Sequence, residues 1–231
     1  MPANRGSLTG TMFSYYDLFT RDKDYEAEAK YISRSLKGQS LLDLGCGNGR
    51  HGKEFVGLGY SVTGVEANKE LAAHCIPYFP CYVGNVSEYR SEVEFESITA
   101  LFHVLNYQIT DGALITFFEK AAENLVQGGV FAFDIWYKPA VSHLKPSVRT
   151  KTVDGITRTS FPTTRPDSLV EVRFRFEPEG FEELHVMRPL DEKDIACFAP
   201  QFKIIHSEEF MTGKPLSKET WCALFVLQRG I

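Results

Sequence analysis

The chain has 231 residues, 43% of them hydrophobic and 24% charged, with a formal net charge of −5. That length suits a single α/β domain with a small appendage. The acidic balance and the lack of any basic run interleaved with aromatics argue against a nucleic-acid partner. No apolar stretch approaches the roughly 20 residues that span a bilayer, and MPANRGSLTG has no signal-peptide core. The five cysteines, Cys46, Cys75, Cys81, Cys197 and Cys222, form no C-x-x-C and, with the histidines, no metal-ligand spacing. The expectation is a cytoplasmic chain with reduced thiols, no structural zinc and no disulfide framework.

In chain order, residues 13–36 read as one or two helices, with Asp22 or Asp24 as N-cap and Gly38 as stop. SLLDL is a short buried strand, followed by a glycine turn and a helix near 50–58. YSVTGVEA is a second strand and NKELAAHCI a helix opened by Asn68. PCYVGNV and FESITALFHV supply the third and fourth strands. DGALITFFEKAAENLVQGG is an amphipathic helix that the Gly128-Gly129 pair is expected to end. GVFAFDIWY is the fifth strand. Strict alternation of strand and helix up to about residue 137 predicts a Rossmann-like, mostly parallel sheet with helices on both faces.

The pattern then changes. Residues 148–188 alternate with period 2 and carry hairpin signals at Asp154-Gly155 and Glu179-Gly180. In VEVRFRF the apolar Val170, Val172, Phe174 and Phe176 share one face, and Glu171, Arg173 and Arg175 share the other. This predicts an antiparallel β insertion with one wet side. A short helix at 190–198 and two strands, QFKIIHSEEF and TWCALFVLQ, close the chain. The whole reads as one domain, 1–231, with an N-terminal helical cap over 13–37. Pairing of the exposed strands within the chain and with a second copy in a homodimer both remain open.

The turn LLDLGCGNGRHG marks the binding site, because ligands of open α/β sheets sit beyond the carboxyl ends of the strands, above the first βα turn. Gly47, Gly49 and Gly52 formally satisfy the dinucleotide pattern G-x-G-x-x-G, but that match begins one glycine too late. The phased motif is Asp43, Gly45, Gly47, Gly49. An acid at the strand end repels the two phosphates a dinucleotide would place there. It favours a ligand carrying an ammonium and a sulfonium, S-adenosylmethionine. Glu66 stands 23 residues after Asp43, at the end of the second strand, close to the spacing of about 20 at which an acid accepts from both ribose hydroxyls.

DLGCGNG resembles the glycine motif of class I S-adenosylmethionine-dependent methyltransferases, over roughly residues 13–137. The resemblance implies that Gly45, Cys46 and Gly47 pack against the methionine end, that Glu66 takes the ribose and that Ala67 lies beside the adenine. It places Asn85 and Val86 at the adenine amino group, where the family has an acid, and Leu101 and Phe102 beside the cofactor at the end of the fourth strand. YYDLFTRDKDYEAEA, FAFDIWYKPAV and HVMRPLDEKDIACF further resemble segments of bacterial deoxyaminosugar N-methyltransferases, and methyltransferases of polysaccharide gene clusters share the layout. That resemblance nominates Tyr16 and Arg21 as residues closing over the cofactor.

The implied reaction is methyl transfer to a small polar acceptor, an amino or hydroxyl group of a nucleotide-linked or polysaccharide sugar, leaving S-adenosyl-L-homocysteine. His103, after the fourth strand, is the candidate base. Trp136, Tyr137, His185 and Arg188 are the candidate substrate residues, and His51 is expected to face solvent. Other readings are a methyltransferase for another small metabolite, an NAD(P)-dependent oxidoreductase, and a non-catalytic nucleoside-binding module. Asp43 and the lack of a Tyr-x-x-x-Lys pair after the fifth strand argue against the oxidoreductase.

Overall fold

The structure, a computed structural model, describes residues 10–141 and 147–230. It opens with α1 (Gly10–Thr20) and α2 (Tyr25–Ser33). Asp24 caps α2, accepting from the Ala27 N–H at 2.9 Å and satisfying one of the donors a helix start leaves unpaired. Helix α2 stops well before Gly38. Arg34, Ser35 and Leu36 instead bond to carbonyls three residues back, the tighter turn typical of a helix end. Gly38 takes a left-handed turn, φ 58°, beside the Glu96 carboxylate, which accepts from the N–H groups of Gln39 and Ser40.

Next come β1 (Ser40–Leu44), α3 (Arg50–Gly57), β2 (Ser61–Glu66), α4 (Lys69–Cys75), β3 (Cys81–Val83) and β4 (Phe95–Ala100). Strand β4 ends before Leu101, so Phe102 and His103 are not strand residues as FESITALFHV suggests. They lead into a 3-10 turn, Val104–Tyr107. Helix α5 (Asp111–Glu123) and strand β5 (Leu125–Trp136) follow. The Gly128-Gly129 pair therefore does not end α5. Asn124 does, with its amide donating to the carbonyls of Lys120 and Tyr89 and accepting from the Ser91 N–H. The glycines lie inside β5, where the register against β4 shifts. A Cβ on Gly129 would come within 2.9 Å of the Val126 carbonyl oxygen and 3.0 Å of that of Glu96.

The short α6 (Lys138–Val141) is followed by β6 (Arg149–Val153), β7 (Ile156–Thr164), β8 (Val170–Glu177) and β9 (Phe181–Met187). Then come α7 (Glu192–Phe198), β10 (Phe202–Glu209) and β11 (Cys222–Arg229). Among the described residues these strands make two sheets. The seven-stranded one runs β10-β11-β5-β4-β1-β2-β3, with β11 antiparallel to both β5 and β10 and the rest parallel. The order reverses between β1 and β4, which opens a crevice at their carboxyl ends. Leu42, Ile98, Phe131, Phe133 and Phe225 share a core layer with Leu114, Phe117 and Phe118 of α5. Their neighbours Leu41, Val130, Ala132 and Leu224 fall in the opposite layer with Ile32 and Phe55. Successive strand residues thus feed opposite layers, as a sheet covered on both faces requires.

The four antiparallel strands β6-β7-β8-β9 form the second sheet. Val170, Val172 and Phe176 are buried while Arg173 and Arg175 are exposed, which is the alternation expected from VEVRFRF. Asp154 and Gly155, φ 48° and 81°, make the first hairpin tip, matching the left-handed turn that a two-residue Asp-Gly loop favours. The inner face meets α1, where Tyr15 stacks on Phe176 at 5.0 Å and Phe19 packs beside it. This sheet leaves and rejoins the main body at a bridge between Tyr137 and Leu190.

Candidate functional site

The crevice is built on the turn after β1. Gly45, Gly47 and Gly49 all have positive φ, 72°, 58° and 79°, a region where a Cβ is penalised. The turn is pinned to β2, because the N–H groups of Gly45 and Cys46 both donate to the Val65 carbonyl, at 2.8 and 3.2 Å. Gly52 plays a different part. A Cβ there would lie 2.4 Å from the Phe79 ring, so this glycine serves helix packing and the formal G-x-G-x-x-G match has no phosphate role.

Two acids flank the turn. Asp43 is 2% exposed and accepts from the Thr99 hydroxyl at 2.9 Å. Burial raises its pKa to about 7, against the lowering effect of the Thr99 hydrogen bond. Glu66 accepts from the Gly47 N–H at 3.0 Å through one oxygen and from the Asn68 N–H at 2.8 Å through the other. Burial again raises its pKa, opposed by those backbone donors. The Ala67 N–H also bonds to Glu66, and a carboxylate offers about four acceptor positions, so one remains for another donor.

Tyr16 of α1 hangs over this turn. A Cβ on Gly47 would be 3.9 Å from its hydroxyl, and its ring meets Phe102 edge-on at 6.1 Å. Ala67 is exposed beyond β2. Asn85 spends its side chain on a turn: its oxygen accepts from the Ser87 N–H at 3.0 Å and its amide nitrogen faces Glu88. Val86 packs against the core beside it. Leu101 is buried in the layer of Leu41 and Phe55, so the expectation that its side chain flanks the crevice is not met.

Cys46 departs from expectation too. Its thiol lies 3.7 Å from the Cys75 sulfur and 3.5 Å from that of Cys81. Arg21 belongs elsewhere as well: it pairs with both oxygens of Asp154 at the hairpin tip and ties α1 to the second sheet. His51 does not face solvent. It is 8% exposed, 2.9 Å from Glu28 and edge-on to Tyr25.

Across the crevice, Phe102 and His103 are consecutive left-handed residues, φ 67° and 65°. Such conformations cost energy in residues with side chains and cluster at functional sites. Asp134, a lone acid inside the apolar run of β5, sustains them. One of its oxygens accepts from the Phe102 N–H at 2.6 Å and lies 3.4 Å from the His103 nitrogen. Its other oxygen is 2.7 Å from His103 Nδ1. This contact falls outside aligned hydrogen-bond geometry. Burial pushes the Asp134 carboxyl up, but His103, Lys23 and the Phe102 N–H outweigh it and hold it at about 2. Lys23, unnoticed in the sequence, pairs with Glu28 and lies 5.0 Å above the Phe102 ring.

Trp136 lies 5.8 Å from the His103 ring and 5.4 Å from Trp221. Asn106, fully buried, braces this side by accepting from the Trp136 N–H at 2.9 Å and donating to the Arg188 carbonyl at 2.7 Å. His185 Nδ1 meets the Tyr107 hydroxyl at 2.7 Å. Two nominated residues are engaged away from the crevice. Tyr137 is 6% exposed and donates to Glu192, and Arg188 is paired with Asp111 at 2.6 Å.

The residues present suit S-adenosylmethionine: two acids at the turn, a spare acceptor position on Glu66 and a tyrosine hydroxyl above Gly47. They do not suit a pyrophosphate, since the Gly47 amide is directed at Glu66. No protein-family model matches the chain. It is similar to a dTDP-3-amino-3,4,6-trideoxy-alpha-D-glucopyranose N,N-dimethyltransferase of Streptomyces venezuelae, 31% identical over 134 residues, 54% of this chain and 56% of the relative. The chain thus spans about half the length of the curated relatives it matches.

Among solved structures, an S-adenosylmethionine-dependent methyltransferase from Clostridium acetobutylicum superposes with a TM-score of 0.82 at 22% identity. It covers 94% of this chain and 97% of its own. A SAM-bound amino pentose methyltransferase from Micromonospora echinaspora gives 0.76 at 20% identity, over 96% and 97%. The chain has the α/β fold of the S-adenosylmethionine-dependent methyltransferases.

Proposed function

We propose that the chain is an S-adenosylmethionine-dependent methyltransferase acting on the amino group of a nucleotide-linked deoxysugar. The observation that carries this reading is the hydrogen bond from the Gly47 N–H to Glu66. It turns away an amide that a dinucleotide would need and sets a carboxylate where ribose hydroxyls can donate to it. The aminosugar acceptor rests on the similarity to dTDP-aminosugar dimethyltransferases.

S-adenosylmethionine, when bound, supplies a methyl group activated by its sulfonium. Glu66 then holds the ribose, Asp43 supports the ammonium through the turn, and Ala67, Asn85 and Val86 lie on the adenine side. Tyr16 and Phe102 exclude water, and the protein's main contribution is to position the attacking amine. His103 is placed as the base. With Asp134 at Nδ1, the Nε2 atom would be left to take the proton an amine acceptor sheds on methylation, S-adenosylhomocysteine being the leaving group as the sulfonium–methyl bond breaks. The ionised Asp134 stabilises the imidazolium that results. Trp136 and His185 form the acceptor side.

Calorimetric titration with S-adenosylhomocysteine, with NADH in a parallel cell, tests the cofactor. Binding of the former alone is expected, and binding of NADH alone overturns the reading in favour of an oxidoreductase. Mass spectrometry of dTDP-linked aminosugars incubated with enzyme and S-adenosylmethionine tests the acceptor. Methyl increments are expected, and an unchanged mass across the panel rejects the aminosugar.

A further inference from the structure

Beneath the glycine turn the fold gathers three cysteines that no spacing rule connects. Cys46 comes from the turn after β1, Cys75 from the last residue of α4 and Cys81 from the first of β3. Their sulfurs all lie within 4.8 Å of one another, with Cys46 3.7 Å from Cys75 and 3.5 Å from Cys81. Two thiolates on one zinc ion, each about 2.3 Å from it at a tetrahedral angle, stand about 3.8 Å apart. The cluster therefore has the spacing of a thiolate site before any ion enters.

The surroundings preserve that spacing. At Gly64 of β2 a Cβ would fall 2.7 Å from the Cys46 sulfur and 3.3 Å from that of Cys81, so glycine there leaves room for both. Cys75 is fully buried, and the Cys46 amide is tied to Val65. Cys46 and Cys81 are only partly buried, leaving an approach for an ion and a place for solvent as its fourth ligand.

We propose that Cys46, Cys75 and Cys81 form a three-thiolate binding site for a soft divalent d10 cation of the zinc and cadmium type, bracing the cofactor turn against α4 and β3. Each sulfur bonds to the cation as its remaining proton passes to solvent, and no electron is transferred. Carboxylate and carbonyl sites suit hard cations, whereas three sulfurs select a soft one. The proposal is independent of the methyl acceptor and of cofactor binding.

The test uses the reduced, chelator-treated full chain titrated with cadmium, reading the ultraviolet band of cadmium–thiolate bonds. Saturation at one ion per chain is expected, lost in Cys46→Ser and Cys81→Ser and retained in Cys197→Ser and Cys222→Ser. In the wild-type chain zinc should protect Cys46, Cys75 and Cys81 from alkylation while the exposed Cys197 reacts, a readout that needs no variant to fold. Absence of the band, or its persistence in both serine variants, overturns the site. So does a band that follows Cys222, which lies with His103 and Asp134 in a second group of potential ligands. Loss of two thiols to a disulfide under reducing conditions, with no cadmium taken up, overturns it equally.

Discussion

The Asp43 carboxyl sits in the floor of the crevice with one hydrogen bond from Thr99, and burial raises its pKa to about 7. Between roughly pH 4, where an exposed aspartate ionises, and pH 7, the folded chain keeps a proton that the unfolded chain has lost. Stability contributed by this site is therefore present at the acid end and falls as pH rises through that window. Urea midpoints of wild type and Asp43→Asn across the window should converge on one another toward the acid end and separate toward pH 7, the variant being less pH-sensitive. Parallel curves would refute the buried-acid account.

His103→Ala should lower kcat by roughly 100-fold, the usual contribution of a positioned base, without weakening S-adenosylhomocysteine binding. An unchanged kcat removes His103 from the mechanism. The position of His103 was readable but its conformation was not, since ITALFHV reads as strand and nothing local announces two left-handed residues. Asp134 could have been found, because an acid in FAFDIWY breaks an otherwise apolar run. Arg21 and Arg188 could not have been placed, since their partners Asp154 and Asp111 lie 133 and 77 positions away.

At the scale of elements, α3 meets the turn between α4 and β3 through Gly52 and Phe79. Gly52→Ala places a methyl 2.4 Å from that ring and should cost about 1–3 kcal/mol, the range for overpacking a filled core. Because the two positions touch, Phe79→Leu in the same chain should recover part of the loss, as chemical unfolding of the single and double variants would show. Additive losses would mean the two positions do not meet. Strand and helix order was legible from alternation alone, whereas the α5–β5 boundary was not. Two adjacent glycines look like a helix stop, and the buried Asn124 that ends the helix reveals itself only through its contacts with Tyr89 and Ser91. Helix α1 shows a similar limit. Tyr15 and Tyr16 are neighbours in sequence, yet one packs on the second sheet and the other lies over the glycine turn.

Over the whole molecule, the glycine turn, the two acids and the β–α alternation located the crevice because that signal is local: a strand end, a turn and a second strand end. The three-sulfur cluster escaped the same reading because its other members are 29 and 35 positions from Cys46 and only the close approach of the turn after β1, α4 and β3 unites them. The second sheet was legible as strands but not as the cover of α1. Its covalent junction with the main body is narrow. The Lys138 N–H donates to the Leu190 carbonyl at 2.9 Å, and the Leu190 N–H to that of Trp136 at 3.2 Å. The chain thus exits and re-enters through a single doorway, and everything between those two hydrogen bonds is an excursion from an otherwise continuous ladder.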